Sequence, residues 1–200
     1  MQIKTFPNGL LSSNAYVVWD KNECMIVDLG VKVKYLEEFI KDKKGLTVKY
    51  LVLTHGHYDH ANYIGEYIEA FPNARVICHT DEYKVLTDKI ANVSYLVGEP
   101  CTYNYDYTFV NNGDTLTIGD SKLKVLNFPG HTPGCICLLD EQSKIMLTGD
   151  VIFAQGYGRT DFLYGDSSLM RASLLQIAKM DEEITIYPGH GESAKLKYIF

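Results

Sequence analysis

Three of the six histidines and one carboxylate fall in six consecutive positions, His55-Gly56-His57-Tyr58-Asp59-His60, directly after Thr54. Neutral imidazole and carboxylate are the side chains that hold zinc or iron. Histidines at alternate positions leaving a strand can face one ion, while the adjacent pair Asp59-His60 turns towards a second. Gly56 lets the backbone bend between them. A solvated polar loop has no physical need for four potential ligands at this density, so the stretch reads as a metal site.

Such a loop needs a rigid support. Residues 48–53 form a short apolar strand that delivers Thr54 and the histidines at its carboxyl end, where open α/β sheets place their ligands. Upstream, residues 2–6, 14–19 and 24–28 read as strands separated by turns at Pro7-Asn8-Gly9 and Asp20-Lys21-Asn22. Tyr35, Leu36, Phe39 and Ile40 recur at helical spacing within 34–43, a pattern that stops at Gly45. Downstream, Tyr63, Ile64, Tyr67, Ile68 and Phe71 mark a helix ended by Pro72, and a strand follows at 75–78. Thr80 is the expected N-cap of a helix to about Lys89, with Asp81 and Glu82 in its first turn, where the helix dipole favours acids. Residues 92–107 give no clear signal. Within them the alternation of Tyr103, Tyr105 and Tyr107 is read as three rings on one strand face, packed in a sheet. Strands at 115–118, 122–128, 135–139 and 144–148 make a second antiparallel block. A glycine-rich loop, a helix over 167–179 and a strand at 184–186 complete the chain. Two strand-rich halves, each with helices, fit two sheets packed face to face with helices outside.

Composition narrows the function. At 200 residues, 46% hydrophobic and 22% charged, the chain fits one globular domain over 1–200. Its net charge of −6 provides no basic footprint for a phosphate backbone, so nucleic acid is not an expected partner. The N-terminus lacks the features of a secretory signal and no apolar run approaches a membrane span, so a cytoplasmic protein with no membrane partner is expected. Cys24, Cys78, Cys101, Cys135 and Cys137 are odd in number and mostly lie in apolar runs, which predicts reduced, buried thiols.

Four further pieces accompany the histidine loop. Asp28 lies in Met25-Ile26-Val27-Asp28-Leu29-Gly30, His131 in Pro129-Gly130-His131-Thr132-Pro133-Gly134, Asp150 in Thr148-Gly149-Asp150, and His190 in Pro188-Gly189-His190-Gly191. With His-x-His-x-Asp-His they resemble, in order and over nearly the whole length, the motifs of the metallo-β-lactamase superfamily. The resemblance implies an α+β fold, the four-layer αββα sandwich of two mixed sheets, with the site along one edge between them. It implies His55, His57 and His131 as ligands of a first metal, Asp59, His60 and His190 as ligands of a second, and Asp150 as a bridge. Two divalent cations are therefore expected as cofactors, zinc as the leading choice and iron or manganese as alternatives, since all three accept this mixed donor set. Each ion has three terminal ligands plus a shared carboxylate, which leaves a bridging position for water. Two cations lower that water's pKa enough to leave hydroxide at neutral pH. Asp59 and His190 are the expected catalytic residues, and Asp28 is read as a carboxylate that fixes the histidine loop through hydrogen bonds.

Within the superfamily the chain most resembles small glyoxalase II-like (hydroxyacylglutathione hydrolase-like) members. That implies hydrolysis of a small-molecule thioester or ester by attack of the bridging hydroxide. The chain ends ten residues after His190, short of the helical domain with which glyoxalase II holds glutathione, so the leaving group is left open. The alternatives are a persulfide dioxygenase-like oxidoreductase with one iron on His55, His131 and Asp150, a lactonase, and a non-catalytic metal-binding module. Gly158-Arg159-Thr160-Asp161-Phe162 resembles a segment of the glyoxalase II-like and dioxygenase-like branches. Arg159 and Asp161 are read as an ion pair bracing that loop, and Arg159 and Tyr157 are the candidates to touch substrate. His79 is read as structural, Cys135 and Cys137 as buried packing, and the oligomeric state is left open.

Overall fold

Most strands of this chain carry apolar side chains on both faces, which requires cover on both sides. The computed structural model describes residues 1–7 and 9–200; Asn8, in the expected Pro7–Gly9 turn, lies outside them. The first sheet runs in sequence order through β1 (Gln2–Phe6), β2 (Ala15–Asp20), β3 (Glu23–Val27), β4 (Thr47–Val52), β5 (Arg75–His79) and β6 (Thr108–Val110). β1 to β3 are antiparallel and β3 to β6 parallel. The parallel crossovers carry α1 (Val33–Asp42), then α2 (Tyr58–Ala61) and α3 (Ile64–Ala70), then α4 (Tyr83–Leu86).

The second sheet has β7 (Thr115–Ile118), β8 (Ser121–Asn127), β9 (Ile136–Asp140), β10 (Ile145–Gly149), β11 (Thr185–Pro188) and β12 (Ala194–Lys195), again in sequence order across the sheet. Only β10 and β11 pair in parallel, and α5 (Ser167–Ile177) connects them. Side-chain alternation builds the layers. Along β2, Tyr16 and Val18 point inward and meet Leu123, Val125, Ile136 and Leu138 of the other sheet. Ala15 and Val17 point the other way, into a cluster with Leu36 and Ile40 of α1 and Ile64 and Tyr67 of α3. Ile177 of α5 covers the far face of the second sheet through Cys137, Met146 and Ile186. The result is helix, sheet, sheet, helix, as the resemblance implied.

Three local expectations are corrected. The helix expected from Thr80 to Lys89 is a single 3-10 turn, Thr80–Glu82, followed by the short α4, and its cap is His79, whose Nδ1 accepts from the Asp81 backbone N–H. Asp88 ends it by accepting from the backbone of Ile90, which starts a turn. Tyr103, Tyr105 and Tyr107 lie in irregular chain, not on a strand: Tyr103 is buried and Tyr105 exposed, so they share no sheet face. Asp59 and His60 sit on the one-turn helix α2, not in an open loop. α5 is capped by Asp166, whose carboxylate accepts from Ser168 and Leu169. Among the described residues no helix is long and apolar enough to cross a membrane.

The parallel strands aim their carboxyl ends at one edge. Asp28 follows β3, Thr54 lies just beyond β4, Asp150 follows β10 and Gly189-His190 follows β11. Links between the sheets hold that edge together. The Tyr16 hydroxyl and the Asn14 side chain donate to the Pro188 carbonyl at 2.6 and 3.0 Å, and the Ile136 N–H donates to the Thr54 carbonyl at 3.0 Å.

Candidate metal centre

His57 is where the chain changes direction. Its backbone is extended (φ −70°, ψ 151°) and the next residue starts α2, so Asp59 and His60 swing to the other side of the loop from His55 and His57. Two triads result. Ligand-type atoms of His55, His57 and His131 lie within 4.8 Å of one another, as do those of Asp59, His60 and His190. Asp150 stands between the triads: its Oδ1 is 3.4 Å from His60 Nε2, and its Oδ2 is 3.6 Å from His131 Nε2 and 3.5 Å from His190 Nε2. All seven side chains singled out from the sequence are thus brought together. Close packing permits it, since a Cβ on Gly189 would stand 2.7 Å from the His60 ring.

The hydrogen-bond partners fix which nitrogens are free. The His131 Nδ1 sits 2.6 Å from the Arg159 carbonyl, which can only accept, so the hydrogen is on Nδ1 and the Nε2 lone pair faces the centre. The His60 Nδ1 is likewise committed to the Asp28 carboxylate at 2.9 Å. His55 Nδ1 meets the Thr54 hydroxyl at 3.1 Å, and that hydroxyl donates to Asp28. Asp28 also accepts from the Thr54 backbone at 2.8 Å. It therefore ties the base of the loop to its far end. Inside this cage the Nε2 atoms of His55, His57 and His131 and Oδ1 of Asp150 are buried without any hydrogen-bond partner. Buried polar atoms of this kind are rare and costly. A metal ion is the partner that fits four convergent lone pairs lined by imidazole and carboxylate.

Charge divides the two triads. Burial pushes the pKa of His55 and His57 well below the usual imidazole value, and neighbouring histidines add to the effect. His131 is also lowered by burial. At His60 burial works against the proton, but Asp59, Asp150 and Asp28 outweigh it and hold the ring protonated. His190 is raised in the same way, mainly by its hydrogen bond to Asp59, whose Oδ2 lies 3.2 Å from His190 Nε2. Burial opposes ionisation of Asp59, yet His60 and His190 keep its carboxyl below the ordinary range. The first triad is a set of neutral donors and the second a set of ion pairs.

Glu82 is the functional residue that sequence reasoning missed. It reads as an acid in a helix first turn, but it is fully buried and accepts from the Gly56 N–H at 2.7 Å, the Gly134 N–H at 2.7 Å and the Thr132 hydroxyl at 2.5 Å. It thereby clamps the loop of His55 and His57 to the loop of His131. Burial pushes its pKa up to about 7 against those three donors. Of the residues expected to touch substrate, Tyr157 and Arg159 both line a cleft of about 290 Å³ that opens on His57, Asp59, His131, Asp150 and His190. Arg159 makes the expected pair with Asp161, two bonds of 2.9 and 2.8 Å. His79 is buried, with its Nδ1 used by the Asp81 backbone, and Cys135 and Cys137 are buried in packing.

Comparison with known proteins bears on the family and the fold. The family model described as "Metallo-beta-lactamase superfamily" matches residues 8–190. The hydroxyacylglutathione hydrolase GloC of Haemophilus influenzae is 30% identical over 195 residues, covering 96% of this chain and 91% of that protein. The crystal structure of the BLEG-1 B3 metallo-beta-lactamase superposes with a TM-score of 0.89 at 31% identity, covering 98% of this chain and 95% of that one. That of TTHA1623 in a di-iron-bound form gives 0.86 at 25% identity, covering 98% and 96%.

Two outcomes follow from the divided charge and the clamp. Because the surrounding carboxylates raise the pKa of His60 and of His190, a metal entering their site competes with protons, so filling it should release protons and its affinity should rise with pH. The neutral first triad has none to lose near pH 7. Calorimetric zinc titration of metal-free protein in buffers of different ionisation enthalpy should show proton release confined to one of two binding events. Glu82→Gln turns one of the two accepting oxygens into an amide N–H₂, which then faces at least one of the three donors; it should weaken the first site about 10-fold or more and leave the second near its original affinity.

Proposed function

This chain belongs to the metallo-beta-lactamase superfamily, and from that premise we propose that it hydrolyses thioesters or esters with two divalent metal ions, zinc first among them. The observation that carries the reading is the pair of triads sharing Asp150 and opening on one cleft. His55, His57 and His131 would hold one ion and Asp59, His60 and His190 the other. Two ions there supply a Lewis acid for a carbonyl oxygen and a water ionised at neutral pH. The similarity to a hydroxyacylglutathione hydrolase supports a thioester among the acyl substrates.

The chain's own groups orient the reaction. In hydrolysis the acyl carbon gains a bond to a water oxygen, its bond to sulfur or oxygen breaks, and the leaving thiol or alcohol takes up a proton. Asp59, ionised and lining the cleft, accepts a hydrogen bond from the attacking water and aims its lone pair at the acyl carbon. His190 is the most exposed of the seven, its side chain 26% accessible, and marks the side on which the leaving group departs. Asp28 and Glu82 keep the two loops from shifting as the acyl carbon changes geometry.

A panel of a neutral thioester, a p-nitrophenyl ester and a lactone, read by thiol, phenol and proton release, tests the reading. Turnover of the thioester or ester is expected from the metal-loaded protein, with kcat/KM reduced at least about 100-fold in Asp59→Asn. Undiminished turnover in that variant, or no turnover of any member with both ions bound, contradicts it.

A further inference from the structure

The backbone singles out two apolar residues beside the centre. Leu11 and Val93 both adopt left-handed conformations, with φ of 50° and 60°, and both line the cleft. Such a φ is uncommon outside glycine and is a genuine outlier for a β-branched residue. Glycine would adopt it without steric cost, yet neither position holds one.

Both turns are tied by hydrogen bonds to the metal loop, at Tyr58 and at Asp59. Next to Val93, the buried Asn92 donates through its side chain to the Cys101 carbonyl at 2.9 Å, accepts from the Ser94 N–H at 2.9 Å, and accepts the Tyr58 N–H on its own carbonyl at 2.8 Å. Leu11 sits in a turn pinned by Leu10 N–H to the Gly30 carbonyl at 3.1 Å and by the Ser13 hydroxyl to the Asp59 carbonyl at 2.8 Å. Leu11 is nevertheless 64% exposed, so the fold gains little from its side chain, whereas Val93 is buried in the core and reaches the cleft only at its edge. Strain kept at a site, on a side chain that packing does not need, points to a ligand.

Two phenylalanines add to the apolar lining of the cleft. Phe162 stands edge-on to His57 with ring centroids 5.5 Å apart, and Phe153 edge-on to His190 at 6.0 Å, so an aromatic ring flanks each triad. Arg159 is the one Lys or Arg among the described residues lining the cleft. Its guanidinium is paired twice with Asp161 and lies 4.3 Å over the Phe162 ring, so its charge is already met.

We infer that the cleft is an apolar acyl pocket, selecting substrates with an uncharged, hydrocarbon-rich acyl group, and that Leu11 and Val93 determine this specificity. The word substrate rests on the hydrolase reading above; the recognition itself does not. Away from the metal ligands, a glutathione conjugate would bring carboxylates to a lining whose one Lys or Arg is already paired, and an alkyl or aryl chain would bury against Leu11, Val93 and the two phenylalanines.

The test is calorimetric binding of the straight-chain carboxylates from acetate to octanoate, the acid products of such a series, to the metal-loaded protein. Affinity should rise about fourfold per methylene until the cleft is filled. Leu11→Gly, which removes one wall and relieves the backbone, should flatten the series while leaving the thermal midpoint equal or higher; Val93→Ala, which keeps the left-handed Cβ but leaves a core cavity, should flatten it too and lower the midpoint. A structural role for Leu11 would lower the midpoint and keep the slope. A flat wild-type series, or tighter binding of glutarate than of hexanoate, overturns the pocket. Turnover of the matching thioesters separates the two readings: a steep binding series without turnover upholds the pocket and removes the hydrolase, and turnover with a flat series does the reverse.

Discussion

Buried lone pairs need partners, and this chain gathers the ones it leaves without partners into one place. Of the five buried side-chain polar atoms that lack a hydrogen bond among the described residues, four belong to His55, His57, His131 and Asp150. Leaving each unsatisfied costs about 1–3 kcal/mol, which a protein of ordinary marginal stability does not carry four times over without a compensating ligand. The rest of the structure is arranged around that debt. Two sheets aim the carboxyl ends of their parallel strands at one edge, where the Nε2 atoms of His55, His57 and His131 converge without finding partners in one another.

Two buried acids turn this convergence into a fixed geometry. Asp28, at the end of β3, ties Thr54 to His60 and so closes the histidine loop on itself. Glu82, just past β5, ties Gly56 to Thr132 and Gly134 and so joins that loop to the one carrying His131. Each acid spends its oxygens on groups that support the donors, which leaves the donors' free nitrogens pointing inward. The cleft above inherits its shape from the same supports: Val93 is held through Asn92 and Tyr58, and Leu11 through Ser13 and Asp59. Site geometry and cleft geometry are one constraint.

What could be read from the sequence was local. His-x-His-x-Asp-His declares itself because its donors are adjacent, and the Gly-His and Gly-Asp pieces stand out because turns and donors coincide. Strands with continuous apolar runs were placed to within a residue or two, since burial on both faces leaves that signature. Glu82 was missed because its partners lie 26, 50 and 52 positions away and its neighbourhood imitates a helix start. The tyrosines at 103, 105 and 107 kept a strand's alternation without a strand's pairing. No local pattern announces that Leu11 and Val93 turn left-handed, because their conformations are set by hydrogen bonds to distant chain. Tertiary partners carried the information for Glu82, Leu11 and Val93, while the helix from Thr80 is cut short by local side-chain bonds of His79 and Asp88.

The central claim is that one chain builds two cation sites sharing Asp150. Its most direct test is the metal content of protein equilibrated with zinc and freed of excess by gel filtration, measured by elemental analysis against protein concentration. The account predicts close to two ions per chain. A single ion, or none, would contradict it, because the second set of convergent donors would then have no cation to serve.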